Sequence, residues 1–164
     1  MRPDIQVLGP FDSQQEPQQN FNAWNNLDKA HPDALAYLRV GDADNASLAK
    51  IKQVNHGQYL TAAFDLNPEG LQAVVNGVNF AIVDPEHFLK GYVAMRLLIE
   101  HALSGKTIPN GWWNPGSLLV TQSNVKEIIA RQVSLATKGQ FYQPIIDKQF
   151  ANPTAQIKPL DQAK

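Results

Sequence analysis

Carboxylates and side-chain amides gather at four places where an apolar run gives way to polar residues. These are Phe11-Asp12-Ser13-Gln14-Gln15, Gly41-Asp42-Ala43-Asp44-Asn45, Phe64-Asp65 and Asp84-Pro85-Glu86-His87. Each follows a segment of strand pattern, and no Lys or Arg joins them. In an open parallel sheet, ligands bind beyond the carboxyl ends of the strands, so these are the places to look for chemistry. The sign of the charge discriminates between ligands. A phosphate site wants Gly-rich backbone, helix N-termini and a cation; the chain has neither a GxxxxGK[ST] nor a GxGxxG motif. A neutral polyol fits better. An ionised Asp accepts short, charge-assisted bonds from ligand hydroxyls, and Asn or Gln both donates and accepts. Phe64 beside Asp65 adds an apolar ring for the less polar face of a sugar. The competing reading is that acids and amides at strand-to-helix turns simply cap helices.

Catalytic readings are weaker. Asp42-Ala43-Asp44 has the spacing of an Asp-x-Asp phosphatase nucleophile, but the accompanying Thr and downstream Lys are not in place. A phospho-acceptor receiver domain also clusters acids at strand ends, yet needs a Ser or Thr and a Lys ending later strands; Phe64 is followed here by Asp65, and Val83 by Asp84. No G-x-S-x-G elbow occurs. With no Cys, thiolate chemistry is absent, and the four histidines, His31, His56, His87 and His101, lack metal-ligand spacing. The expectation is a binding protein that is not an enzyme and has no cofactor or metal.

The elements that must position these residues follow from periodicity. Ile5 to Leu8 reads as a strand ending at Gly9-Pro10. Pro17 to Ala30 places Phe21, Trp24, Leu27 and Ala30 on one helical face. Ala34 to Val40, Tyr59 to Phe64 and Val78 to Val83 read as strands, with a helix over Asn45 to Val54 that turns Leu48 and Ile51 inward. Asn67-Pro68-Glu69 and Asp84-Pro85-Glu86 each combine a side-chain acceptor, a Pro at the first helical position and an acid in the first turn, which predicts two helix starts. The second helix runs to about Ser104 with Phe88, Tyr92, Met95 and Ile99 on one stripe and Gly105 as its stop. Leu118 to Val120 is a short strand, and Ser123 caps a helix bearing Val125, Ile128 and Ile129. After about Gly139 the pattern dissolves into Pro, Gln and Lys. Strand and helix in alternation with short connections predict an α/β, doubly wound, mostly parallel sheet.

Composition excludes other classes. The 164 residues carry 14 Lys+Arg and 15 Asp+Glu, a net charge of −1, so there is no basic footprint for nucleic acid. Asn and Gln together number 28, which wets the surface without strong charge. No apolar run approaches a membrane span, and the N-terminus lacks the basic-then-apolar pattern of a signal peptide.

Taken in order, several segments resemble one family. They are His31-Pro32-Asp33-Ala34, Gly41-Asp42, Ala49-Lys50-Ile51, Ala63-Phe64-Asp65 with Pro68-Glu69, and Val75-Asn76-Gly77, followed by Asp84, Leu89-Lys90-Gly91-Tyr92 and Leu118-Leu119-Val120-Thr121 with Asn124-Val125. Over about residues 3–132 the series is similar to the C-terminal half of a type 1 periplasmic sugar-binding protein of the ribose-binding-like group. The resemblance implies a three-layer α/β/α fold, incomplete in this chain. It also implies the ligand-capture component of a sugar ABC importer, with a small-molecule sugar and a membrane permease as partners and the periplasm as its place. Carried over by position, Asp65 accepts hydroxyl bonds beside the Phe64 ring and Asp42 sits at the crevice edge. Asp84 lies at the hinge crossing, and Gln15 stands where some relatives place an aromatic ring. The resemblance divides the chain into a partial C-terminal lobe (1–84), a segment of the N-terminal lobe (85–116), a return to the C-terminal lobe (117–149) and a tail (150–164). It further implies a truncated product, or one needing a companion chain or a second copy to complete the lobes. The runner-up readings are an effector-binding domain of a transcription regulator of the same fold and a small acid-cluster hydrolase or phosphotransfer domain.

Overall fold

A computed structural model of the chain describes residues 4–163. They form two compact units, one up to Phe80 and one from Ala81 on, and strands alternate with helices in both, so the chain is α/β.

The first unit is built from helix α1 (Pro17–Ala30), strand β1 (Ala36–Leu38), helix α2 (Ala43–Val54), strand β2 (Leu60–Phe64) and helix α3 (Pro68–Val75). β1 and β2 are parallel, with Tyr37 opposite Thr61 and Leu38 opposite Ala62. Alternation along the strands turns Tyr37, Thr61 and Ala63 inward. Trp24, Tyr37, Leu48, Ile51 and Tyr59 form the core, with Tyr37 edge-on to Trp24 at 5.8 Å and to Tyr59 at 4.7 Å. Trp24 and the predicted inward pair Leu48 and Ile51 therefore sit where their helical spacing puts them. The Asn67-Pro68-Glu69 start forms as expected: the Asn67 side chain accepts the Gly70 N–H at 2.6 Å and Pro68 opens α3.

One expected strand is missing. Ile5 to Leu8 has no regular structure and is exposed. β1 is the edge of its sheet and bonds to β2, and a strand without a ladder partner gains nothing from its pattern.

The second unit contains strand β3 (Ala81–Asp84), helix α4 (His87–Ser104), strand β4 (Leu118–Val120), helix α5 (Val125–Arg131) and helix α6 (Leu135–Phe150), then two short 3₁₀ turns. β3 and β4 are antiparallel, with Ile82 opposite Val120. The helix expected from Pro85 begins two residues later, because both acids of its start are engaged elsewhere. Asp84 Oδ1 accepts the Glu86 N–H at 2.8 Å, its Oδ2 pairs with Arg131 at 2.6 Å, and the Glu86 carboxylate accepts a hydrogen bond from the Tyr142 hydroxyl. Glu86 is left in the left-handed region at φ 59° with no side-chain cap. The stop at Gly105, φ 67°, is as expected.

Of the stripe expected on α4, Phe88 packs against the core and the rest turns outward. Leu89 and Val93 are the buried positions of α4, packed with Tyr142 and Ile146, whereas Tyr92, Met95 and Ile99 are exposed. The reason is α6, where sequence pattern predicts dissolution. Ser134 and Thr137 form a reciprocal capping box at its start, and the helix continues through Gly139 and Pro144. Its apolar row Tyr142, Ile146 and Phe150 packs on α4 and Trp113, with Phe88 stacked on Tyr142 at 4.9 Å. Tertiary burial outweighs the local cost of Gly and Pro. Beyond α6, Lys158 exchanges two 2.9 Å backbone bonds with Trp112.

Candidate functional site

In the first unit the carboxyl ends of β1 and β2 are joined by side-chain amides. Asn45, at the start of α2, is buried and donates from Nδ2 to the backbone oxygens of Phe64 (2.7 Å) and Asp65 (3.2 Å). Asn67 donates to the Asp42 carboxylate (3.0 Å) and to the Asp42 backbone oxygen (2.8 Å), which ties the start of α3 to the start of α2. Asp44 is buried and accepts three bonds, from Asn20 Nδ2 (2.7 Å), Trp24 Nε1 (2.6 Å) and the Gly41 N–H (3.1 Å). Asn20 also donates to the carbonyls of Ser13 and Gln14 at 2.9 and 2.8 Å. The segment before α1, the loop after β1 and the loop after β2 are thus laced together by neutral donors around two carboxylates.

The expected residues fall as follows. Asp42 is exposed at the start of α2 and makes no side-chain cap. Phe64 closes β2 with 37% of its surface exposed. Asp65 follows it at φ 70°, a conformation that Asp and Asn tolerate better than most residues. Gln15 is exposed ahead of α1. Asp42, Phe64 and Asp65 therefore share the strand-tip end of one unit. Asp84 belongs to the second unit, where it is buried and held by Arg131.

Sequence reasoning missed the cation. Arg39 follows β1 directly and is buried. Its Nε donates to the Ala62 carbonyl at 3.4 Å, while Nη1 and Nη2 have no partner. Burial lowers its pKa to about 10, opposed by the nearby Asp44 charge. The available signal was the period of two: Tyr37 and Arg39 lie on one face of a strand. Asp44, which was not among the expected ligand residues, makes three internal bonds and serves as a brace. Among the described residues no group of three or more acids and histidines could hold a metal ion.

A recess of about 420 Å³ opens at the other end of the first unit, before the starts of β1 and β2, lined by Asp28, Asp33, His56 and Tyr59 among others. Burial raises the Tyr59 pKa well above its ordinary value, with Asp28 adding to the shift.

No family model matches the sequence, and no curated protein matches it. Solved structures do match. An ABC transporter solute-binding protein from Agrobacterium vitis with bound D-fucose superposes with a TM-score of 0.68 at 19% identity, over 80% of this chain and 46% of that one. A glucose–galactose binding protein from Geobacillus stearothermophilus gives a TM-score of 0.62 at 23% identity, over 69% and 40%. The chain has the fold of the type 1 periplasmic sugar-binding proteins. A protein assigned as a LacI transcriptional regulator, from Bacteroides fragilis, shares this fold at a TM-score of 0.57 and 14% identity, over 66% and 37%. The chain thus spans less than half the length of each of these proteins. No helix among the described residues is long and apolar enough to cross a membrane.

Proposed function

We propose that this chain is a sugar-binding component, or part of one, of an ABC-type importer, acting in the periplasm and delivering a monosaccharide or polyol to a membrane permease. The observation that carries this reading is the strand-tip end of the first unit. There Asp42 follows β1, Asp65 follows a partly exposed Phe64 at the end of β2, and Asn45 and Asn67 fix the loops that carry them. The mechanism is capture, with no bond made or broken. Asp65 and Asp42 replace water around ligand hydroxyls, and Phe64 covers the apolar face of the ring. Gln15 adds a neutral donor and acceptor. The internally bonded Asp44 holds the scaffold.

Isothermal calorimetry against pentoses, hexoses and polyols tests this. The informative variant is Asp65→Asn, since Asn accepts the positive φ that Ala would strain. Binding heat from at least one sugar, lost or weakened at least about tenfold in Asp65→Asn, supports the reading. An unchanged affinity removes Asp65 from the site. The effector-domain reading is favoured by one observation, the shared fold of the regulator from Bacteroides fragilis. It shares the capture chemistry and differs in the partner that reads it.

A further inference from the structure

Two segments carry the same helix-start signature, and only one of them uses it. Asn67-Pro68-Glu69 opens α3 at Pro68. Asp84-Pro85-Glu86 offers the same acceptor, Pro and acid, yet α4 opens at His87. The second start is nonetheless half built. Asp84 Oδ1 already accepts the Glu86 N–H at 2.8 Å, the bond an N-cap acid makes to the second helical residue. Pro85 has the fixed φ that suits a first helical position. The Glu86 carbonyl already accepts the Lys90 N–H at 3.0 Å. What interrupts the helix is one residue's backbone: Glu86 sits at φ 59°, ψ 45°, in the left-handed region.

That conformation is held by side chains of two later helices. The buried Glu86 carboxylate accepts from the Tyr142 hydroxyl of α6 and faces Arg131 Nη1 of α5 at 3.7 Å. Arg131 also pairs with Asp84, and the rings of Phe141 and Tyr142 lie 4.9 and 5.1 Å from its guanidinium. The arrangement is not fully satisfied, since Arg131 Nε and Nη1 are buried without a hydrogen-bond partner. Those two donors and the left-handed Glu86 weigh against it, while the Tyr142 bond and the ion pairs favour it. We propose that Glu86 is a two-position catch. Seated, it is left-handed and ties the start of α4 to α6 through Tyr142. Released, it turns right-handed, α4 gains Pro85 and Glu86 under the Asp84 cap, and the Tyr142 hydroxyl is freed. The longer α4 and the anchored α6 exclude each other, so whatever loosens α6 lengthens α4.

The test is NMR of the isotope-labelled full chain. Relaxation dispersion is expected at the amides of Asp84, Glu86 and His87 and at those of Phe141 and Tyr142, with one common rate and a released state populated at roughly 0.1–10%. Tyr142→Phe keeps the packed ring and removes the hydroxyl, and it should raise the ratio of released to seated protein on the order of tenfold. Glu86→Ala and Glu86→Gly both remove the carboxylate and differ in backbone preference alone. Ala favours the right-handed region and Gly tolerates the left-handed one, so that ratio should be at least about tenfold greater with Ala. Helical Cα shifts at residues 85 and 86 identify the released state. Equal ratios in the Ala and Gly variants overturn the proposal. So does exchange at residues 84–87 with a rate unrelated to that of Tyr142. Should a Glu86 variant fail to fold, the parent and Tyr142→Phe decide: absence of exchange in both overturns it. None of these readouts involves a sugar, so they stand apart from the binding test.

Discussion

Asp44→Ala removes the acceptor shared by Asn20, Trp24 and Gly41. The consequences for the three donors differ. Asn20 keeps the Ser13 and Gln14 carbonyls. Trp24 Nε1, on a buried ring, has no other acceptor and is orphaned. The Gly41 N–H is half-buried, so water recovers part of its bond. An orphaned buried donor costs roughly 1–3 kcal/mol, so Trp24 near the middle of that range and Gly41 at its lower end give about 3 kcal/mol lost. With a urea m-value of about 1.5 kcal/mol/M, the midpoint of the first unit's transition falls by about 2 M. Fluorescence of Trp24 in a Trp112→Phe, Trp113→Phe background isolates that transition. The variant also strips Arg39 of its nearest counter-charge. Arg39→Met should therefore stabilise the Asp44→Ala protein more than the parent, with a coupling of at least about 1 kcal/mol. A midpoint shift below about 0.5 M, or additive effects of the two substitutions, would refute the view of Asp44 as the brace of the strand tips.

Three further outcomes follow from the same contacts. Arg131→Leu leaves Asp84 and Glu86 buried without their cation and should cost about 3–5 kcal/mol by thermal or urea unfolding; a loss under about 1 kcal/mol would contradict the pairing. Burial holds the Glu86 carboxyl above the ordinary carboxylate range, partly offset by the Tyr142 hydroxyl bond. The folded state thus binds that proton more tightly than the unfolded chain, so this group's contribution to stability rises as pH falls from neutral through the folded value. Glu86→Gln should remove that slope from the stability–pH curve, and an unaltered slope would assign it elsewhere. Asn67→Ala loses both the α3 cap and the tie to Asp42. It should cost about 1–2 kcal/mol in urea, whereas Asn67→Asp, which keeps the cap, should recover most of it.

The legible parts of the chain are those whose signals are local. Pro17–Ala30, Asn67-Pro68-Glu69 and the Leu48 and Ile51 pair carry their own caps and periods, and each forms as read. What failed depended on partners. Ile5–Leu8 has the composition of a strand, but only a neighbour with free backbone groups makes one. Gly139 and Pro144 argue against a helix that Tyr142, Ile146 and Phe150 nonetheless secure by burying an i, i+4, i+8 row against α4. The same partner turned α4, so that Leu89 and Val93 went inward instead of Tyr92 and Met95. At the strand tips, residue type revealed that acids and amides gather but not which carboxylate is consumed. Asp42 and Asp44 are two residues apart and read alike. A helix turns successive side chains by about 100°, and that sends Asp44 inward to Trp24 and leaves Asp42 exposed.

The central claim is that the ends of β1 and β2 hold a sugar. Amide chemical-shift mapping of the isotope-labelled chain during titration with a sugar panel tests it most directly. Shifts for at least one sugar are expected to concentrate on Asp42, Asn45, Phe64, Asp65 and Asn67 and to be abolished by Asp65→Asn. Saturating shifts confined instead to the recess of Asp28, Asp33, His56 and Tyr59, or no shifts with any sugar, would contradict it.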